Sequence, residues 1–169
     1  MATHTQGEEK RKVRGSCLCK TVRYELNADA DMVWYNICHC IDCRKASGSA
    51  FSLDICFSET RSEYKITQGE DALGCWIERN TVSGNPVSRY FCTKCGSLVK
   101  LGNPLKPDRH DQSGGGHTPE ERERLDRVFV AAGTLDDPVT WVPSQEVFCK
   151  DRLPWLQESG LDVPQLHME

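Results

Sequence analysis

No stretch of this 169-residue chain is apolar for long enough to cross a bilayer, and the segment Met1–Arg14 lacks the apolar core of a secretory signal. Both absences point to a reducing, cytoplasmic setting, where cysteine serves metal binding or reactivity more than disulfide formation. Positive charge is also in short supply. Twenty-one Lys and Arg face 25 Asp and Glu, for a net charge of −4, and a phosphate backbone needs a net positive face. Nucleic acid is therefore not the expected partner. The one basic run, Lys10-Arg11-Lys12-Val13-Arg14, follows Glu8 and Glu9 and reads as part of a solvated tail over residues 1–12. Catalytic signatures are missing too: there is no His-Glu-x-x-His and no legible Ser-His-Asp arrangement. The run Gly114-Gly115-Gly116 lacks the Lys-Ser/Thr of a phosphate cradle.

What the chain has is cysteine. Seven of its ten cysteines fall into three tight groups: Cys17-Leu18-Cys19, Cys38-His39-Cys40-Ile41-Asp42-Cys43 and Cys92-Thr93-Lys94-Cys95. Short loops that bring several sulfurs together suit zinc, which takes thiolates at about 2.3 Å in a tetrahedron. Two two-ligand knuckles, Cys17/Cys19 and Cys92/Cys95, make one closed four-thiolate site. Cys38, Cys40 and Cys43 make a second site one ligand short, open to water or a substrate thiol. A pairing of Cys17/Cys19 with Cys38/Cys40 satisfies the same spacing, and Cys56, Cys75, Cys149 or a histidine could close the second site. His39, between two ligands, is expected to point away from the metal, and Cys56, Cys75 and Cys149 read as ordinary strand residues. The segment Arg44-Lys45-Ala46-Ser47-Gly48-Ser49 is basic, then small and hydroxylated. It reads either as a solvated turn or as a receptor for a carboxylate-bearing ligand, with Arg44, Lys45, Ser47 and Ser49 as its candidates.

Around these groups the chain is mainly β. Val22, Tyr24 and Leu26 alternate with polar residues, and so do Phe51, Leu53, Ile55 and Phe57, with Ser52, Asp54 and Cys56 on the other face. Met32–Ile37 is an apolar run entering the second cysteine group. Further strands are expected at 63–67, 73–78, 87–91, 97–101, 127–132 and 145–149. One domain over 13–169 carries one long loop insertion, about 102–126. Within it Thr118, Pro119 and Glu121 have the spacing of an N-cap, a first helical residue and a capping-box partner.

These segments resemble a known family. Gly15-Ser16-Cys17-Leu18-Cys19, Cys38 to Gly48, Arg89-Tyr90-Phe91-Cys92-Thr93-Lys94-Cys95-Gly96-Ser97, Gly133-Thr134-Leu135-Asp136-Asp137-Pro138 and Lys150-Asp151-Arg152-Leu153-Pro154-Trp155 are similar, in order and spacing, to the glutathione-dependent formaldehyde-activating enzymes, a family that includes centromere protein V. The resemblance implies a β-tent of short antiparallel sheets holding two zinc ions. It implies Cys17, Cys19, Cys92 and Cys95 on a structural ion, and Cys38, Cys40 and Cys43 on a second, open ion beside which glutathione sits. The implied activity is that of a carbon–sulfur lyase acting on a glutathione or other thiol adduct of an aldehyde or related electrophile. The alternative is a non-catalytic, zinc-stabilised binding module of the centromere protein V type. That reading calls for a long basic or proline-rich tail, and this chain has a short one of mixed charge.

Overall fold

The computed structural model describes residues 11–27, 32–104, 118–138, 140–157 and the backbone of 165–166. In chain order its strands are β1 (Lys12–Ser16), β2 (Arg23–Asn27), β3 (Met32–Cys38), β4 (Ser52–Ser58), β5 (Lys65–Gln68), β6 (Leu73–Glu78), β7 (Val87–Cys92), β8 (Leu98–Gly102), β9 (Arg127–Ala131), β10 (Gln145–Val147) and β11 (Gln165–Leu166). The short helices are α1 (Ile41–Ser47), α2 (Glu59–Ser62), α3 (Pro119–Leu125) and α4 (Pro154–Gln157). A three-stranded antiparallel sheet runs β1-β2-β5, and an eight-stranded sheet runs β11-β10-β3-β4-β9-β8-β7-β6. The chain is mainly β, as its alternating pattern requires. The large sheet is antiparallel except at one edge, where β10 lies parallel to both β3 and β11.

The apolar faces of the two sheets meet in a core that includes Val13, Tyr24, Leu26, Ile55, Phe57, Val99 and Val130. Each fully buried aliphatic or aromatic side chain of this kind contributes roughly 1.5–3 kcal/mol. β4 sits between β3 and β9, which take both of its hydrogen-bonding edges, and it is buried on both faces: Ile55, Cys56 and Phe57 fully, Ser52 and Asp54 nearly so. Alternation correctly separates the two faces of β4. Its polar face, however, looks into a cavity rather than into solvent.

The structure differs from the sequence reading in three local places. Residues after Cys40 form helix α1 rather than a turn, because the Cys40 sulfur accepts the Cys43 N–H at 3.4 Å as an N-cap and Gly48, at φ 64°, closes the helix in the left-handed region. Lys12, placed in the tail by the sequence reading, already pairs with Asn27 in the β1–β2 hairpin. The 63–67 strand begins later, at Lys65, since Glu63 (φ 51°) caps α2. The capping box on α3 forms as the spacing requires, with Thr118 Oγ1 accepting from Glu121 N–H and Glu121 Oε2 accepting from Thr118 N–H. Pro107 and the triple glycine lie outside the described residues. No described helix is long and apolar enough to cross a membrane.

Candidate metal centres and the adjoining cavity

Cys17 and Cys19 follow β1, Cys92 ends β7, and Cys95 lies in the turn before β8. The small sheet and the large one are thereby drawn together at one point. All four sulfurs lie within 4.8 Å of one another, with Cys17–Cys19 at 3.5 Å and Cys19–Cys92 at 3.8 Å. A tetrahedron with metal–sulfur bonds of about 2.3 Å has edges of about 3.8 Å, so the spacing fits a single zinc ion. Backbone amides shape the knuckles: Val22 N–H donates to Cys17 Sγ at 3.3 Å, and Gly96, at φ 76°, turns its N–H onto the Cys92 carbonyl at 2.8 Å. Leu18 N–H donates to Ser97 Oγ at 3.0 Å, tying one knuckle to the other. The Ser97 hydroxyl and backbone pull the Cys95 thiol down to about 5, and the Thr21 hydroxyl lowers Cys19, whereas burial pushes Cys17 up to about 11. The cluster holds negative charge at neutral pH, ready for a cation.

The second cluster sits where β3 ends and α1 begins. Cys38, Cys40 and Cys43 keep their sulfurs within 4.8 Å, Cys38–Cys40 being 3.6 Å apart. Hydrogen bonds from the Cys38 and Cys43 thiols bring Cys40 down to about 3, while the bond to Cys40 helps drive Cys38 up. Among the described residues no other Cys, His, Asp or Glu ligand atom joins this group. Three soft donors with a fourth position open suit a zinc ion that keeps an exchangeable ligand.

A buried polar brace stands behind this cluster. His39 points away from the sulfurs and is fully buried, with Nε2 3.3 Å from Glu146 Oε1 on β10. Glu146 also pairs with Arg152, while Arg44 Nη1 donates to the Asp151 carbonyl at 2.9 Å. His39 N–H donates to the Val147 carbonyl at 3.1 Å, which fixes β10 to the metal-binding turn.

Cys38 and Cys43 line one end of a cavity of about 570 Å³ spread over one face of the large sheet. Strand register builds its floor. Cys38 pairs with Ser52, Asn36 with Asp54, and Trp34 with Cys56, which continues to Phe129, Leu101 and Arg89 in one row across the sheet. Asp54 is the one carboxylate among the described lining residues. Its Oδ2 accepts from Ser52 Oγ at 2.5 Å, its Oδ1 has no partner, and burial pushes its pKa up to about 7. Arg89, Arg124 and Arg127 also line it, with Arg127 stacked on Trp34.

The proposed substrate residues lie elsewhere. Arg44, Lys45 and Ser47 belong to α1 and Ser49 follows it, and none of the four lines this cavity. Arg44 is spent on Asp151, and the Ser47 hydroxyl donates to the Arg44 and Phe51 carbonyls at 3.3 and 3.1 Å. Cys56 is buried in β4, Cys75 is exposed on the edge strand β6, and Cys149 follows β10. Asp54 was visible in the sequence only as the polar partner in an alternating strand, and Arg89 and Arg127 only as strand residues. Their convergence comes from strand order.

A family model described as glutathione-dependent formaldehyde-activating enzyme matches residues 12–151. A solved Rhodobacter sphaeroides protein from a structural genomics programme is similar in fold, with a TM-score of 0.52 and 14% identity, covering 90% of this chain and 99% of that one. No curated protein matches.

Proposed function

Because the chain belongs to the glutathione-dependent formaldehyde-activating enzyme family, we propose that it makes or breaks a carbon–sulfur bond between a thiol, glutathione in the first instance, and the carbonyl carbon of an aldehyde or related electrophile. The observation that carries this reading is the opening of the three-sulfur cluster onto the same cavity wall as a buried, near-neutral carboxyl group. Zinc on Cys38, Cys40 and Cys43 would supply a cation that stabilises a thiolate at neutral pH. Zinc on Cys17, Cys19, Cys92 and Cys95 would be structural, adding binding energy directly to folding.

In the forming direction the thiol gives its proton to solvent, from which Asp54 is reprotonated after each turnover; sulfur attacks the carbonyl carbon, and the C=O π pair moves to oxygen. One proton must reach that oxygen to give the hydroxyl of the adduct. Asp54 is our candidate to carry it. Its unpartnered Oδ1 belongs to a residue lining the cavity, and a carboxyl pushed up to about 7 is poised to give and take a proton near neutral pH. In the reverse direction the Asp54 carboxylate takes the hydroxyl proton, the carbonyl re-forms, and the sulfur leaves. Val147 and Phe148, packed against the cysteines, cover the reacting atoms with apolar surface.

The test is the rate of adduct formation and breakdown by NMR exchange spectroscopy, with glutathione and a panel of aldehydes. The reading requires acceleration over buffer that is lost in Cys43→Ser. A folded, two-zinc protein that accelerates no thiol–aldehyde pair would reject catalysis and return the domain to the binding-module reading.

A further inference from the structure

Resting on the thiol-adduct reading, the geometry points to a separate oxyanion subsite at the far end of the cavity, where Trp34 and Arg127 take a carboxylate carried by the adduct. Two donors on this stretch of wall are buried without an acceptor: Trp34 Nε1 and Arg127 Nε. Buried donors are almost always satisfied, and two unsatisfied ones on stacked side chains lining one cavity mark where a ligand's oxygens belong. One is an indole N–H and the other belongs to a cation; both can donate but not accept, so the missing partner is an acceptor and is best negatively charged.

The residues are held for that purpose by packing rather than by internal ion pairs. The Arg127 guanidinium lies 4.4 Å above the Trp34 ring centroid, and Phe129 packs against the same indole at 6.1 Å. Stacking fixes the face of the guanidinium and leaves its edge to donate. Arg127 Nη2 lies 3.8 Å from Glu123 Oε1, which is mostly exposed. That contact is loose and does not engage Nε. Trp34, Cys56 and Phe129 occupy one cross-sheet row, which sets Phe129 within reach of the indole. Burial pushes the Cys56 thiol up to about 12, so it brings no competing charge.

Distance sets the ligand class. Trp34 lies four positions from Cys38 on β3, about 13 Å at roughly 3.3 Å per strand residue. An adduct whose sulfur reaches the second cluster must therefore carry its carboxylate on the order of 10 Å away. The γ-glutamyl carboxylate of glutathione, eight bonds from sulfur, spans on the order of 10 Å when extended. A long carboxylate chain on the electrophile would reach equally well. The shared chemistry is a carboxylate at that distance, and its source is decided by experiment.

Binding of three probes to the zinc-loaded full chain would be measured by calorimetry. The probes are S-methylglutathione, its diethyl ester, and an S-(7-carboxyheptyl) thioether of N-acetylcysteamine, whose single carboxylate lies on the electrophile side. The wild type should bind one of the carboxylate probes at least tenfold more tightly than the ester. Arg127→Gln should reduce that ratio to within twofold while leaving the ester's Kd unchanged, and Trp34→Phe, which keeps an aromatic ring and removes the N–H, serves as the second variant should Arg127→Gln fold poorly. Preference for S-methylglutathione assigns the carboxylate to the thiol, and preference for the carboxyheptyl probe assigns it to the electrophile. Equal binding of all three probes by the wild type, or a ratio preserved in both variants, overturns the subsite. Loss of turnover on every adduct with the tenfold discrimination intact would reject the catalytic reading alone and leave the subsite standing.

Discussion

Replacing Asp54 with asparagine should make the protein more stable and less active, with a pH signature that identifies the cause. Burial raises the folded-state pKa of Asp54 from 3.8 to about 7. An acid whose folded pKa lies above its unfolded value binds more protons when folded, so the wild type loses stability as pH rises through that window. Below pH 3.8 the neutral carboxyl carries no penalty, and above about 7 the penalty is complete. A shift of this size corresponds to about 4 kcal/mol at full development, at 1.36 kcal/mol per pKa unit. Asparagine cannot ionise, and its amide oxygen keeps the hydrogen bond from Ser52, but an unpartnered amide N–H₂ costs roughly 1–3 kcal/mol of that gain. Urea unfolding of wild type and Asp54→Asn, both at saturating zinc so that metal linkage cancels, should show a stability gap favouring the variant. The gap should widen by no more than roughly 3 kcal/mol between pH 5 and pH 8. Turnover should fall by about 10²–10⁴, as expected on removing a proton-transfer group. A gap of constant size over that range, or a variant less stable than wild type at pH 8, would refute the assignment of a buried carboxyl held near neutrality.

The other predictions separate the two cysteine clusters and their supports. Cys43→Ser should leave a folded domain with one zinc fewer, whereas Cys95→Ser should unfold it, since structural zinc contributes roughly 10 kcal/mol or more in zinc-finger peptides; circular dichroism and elemental analysis read both. Glu146→Ala leaves His39 and Arg152 without their buried carboxylate, at a cost of about 3–5 kcal/mol. Titration with a competing chelator should show the second ion released first and the first ion retained. Gly15→Ala would set a Cβ 2.2 Å from Tyr24 Cζ and 2.5 Å from the Thr134 carbonyl oxygen. Overpacking of this kind should cost about 1–3 kcal/mol or more, read as a fall in Tm, and an unchanged Tm would mean that β1 can move away from Thr134.

The parts of this molecule that were legible in the sequence are those set by short spacing. Cys17/Cys19, Cys92/Cys95 and Cys38/Cys40/Cys43 declare themselves because the local loop alone brings their sulfurs close, and the Thr118–Glu121 capping box does so because its hydrogen bonds span three residues. Most strands follow from alternation. Helix α1 escaped because it is short, has no buried residue to give it an apolar period, and starts from a cysteine sulfur acting as cap. The cavity escaped for a different reason. Asp54, Trp34, Phe129 and Arg89 are brought together by cross-strand register between segments distant in the chain, and register depends on long-range pairing. A polar residue on an alternating strand looks the same from the sequence whether it faces solvent or a cavity floor.

The central claim is that the second cluster is a zinc site with one position open to a thiol. Zinc K-edge X-ray absorption on the protein with two ions bound, before and after adding glutathione, tests it directly. Seven cysteine sulfurs shared by two ions average 3.5 sulfur ligands per zinc, and entry of a thiol at the open position should raise that average to about 4. An average that stays at its starting value at saturating glutathione would contradict the account.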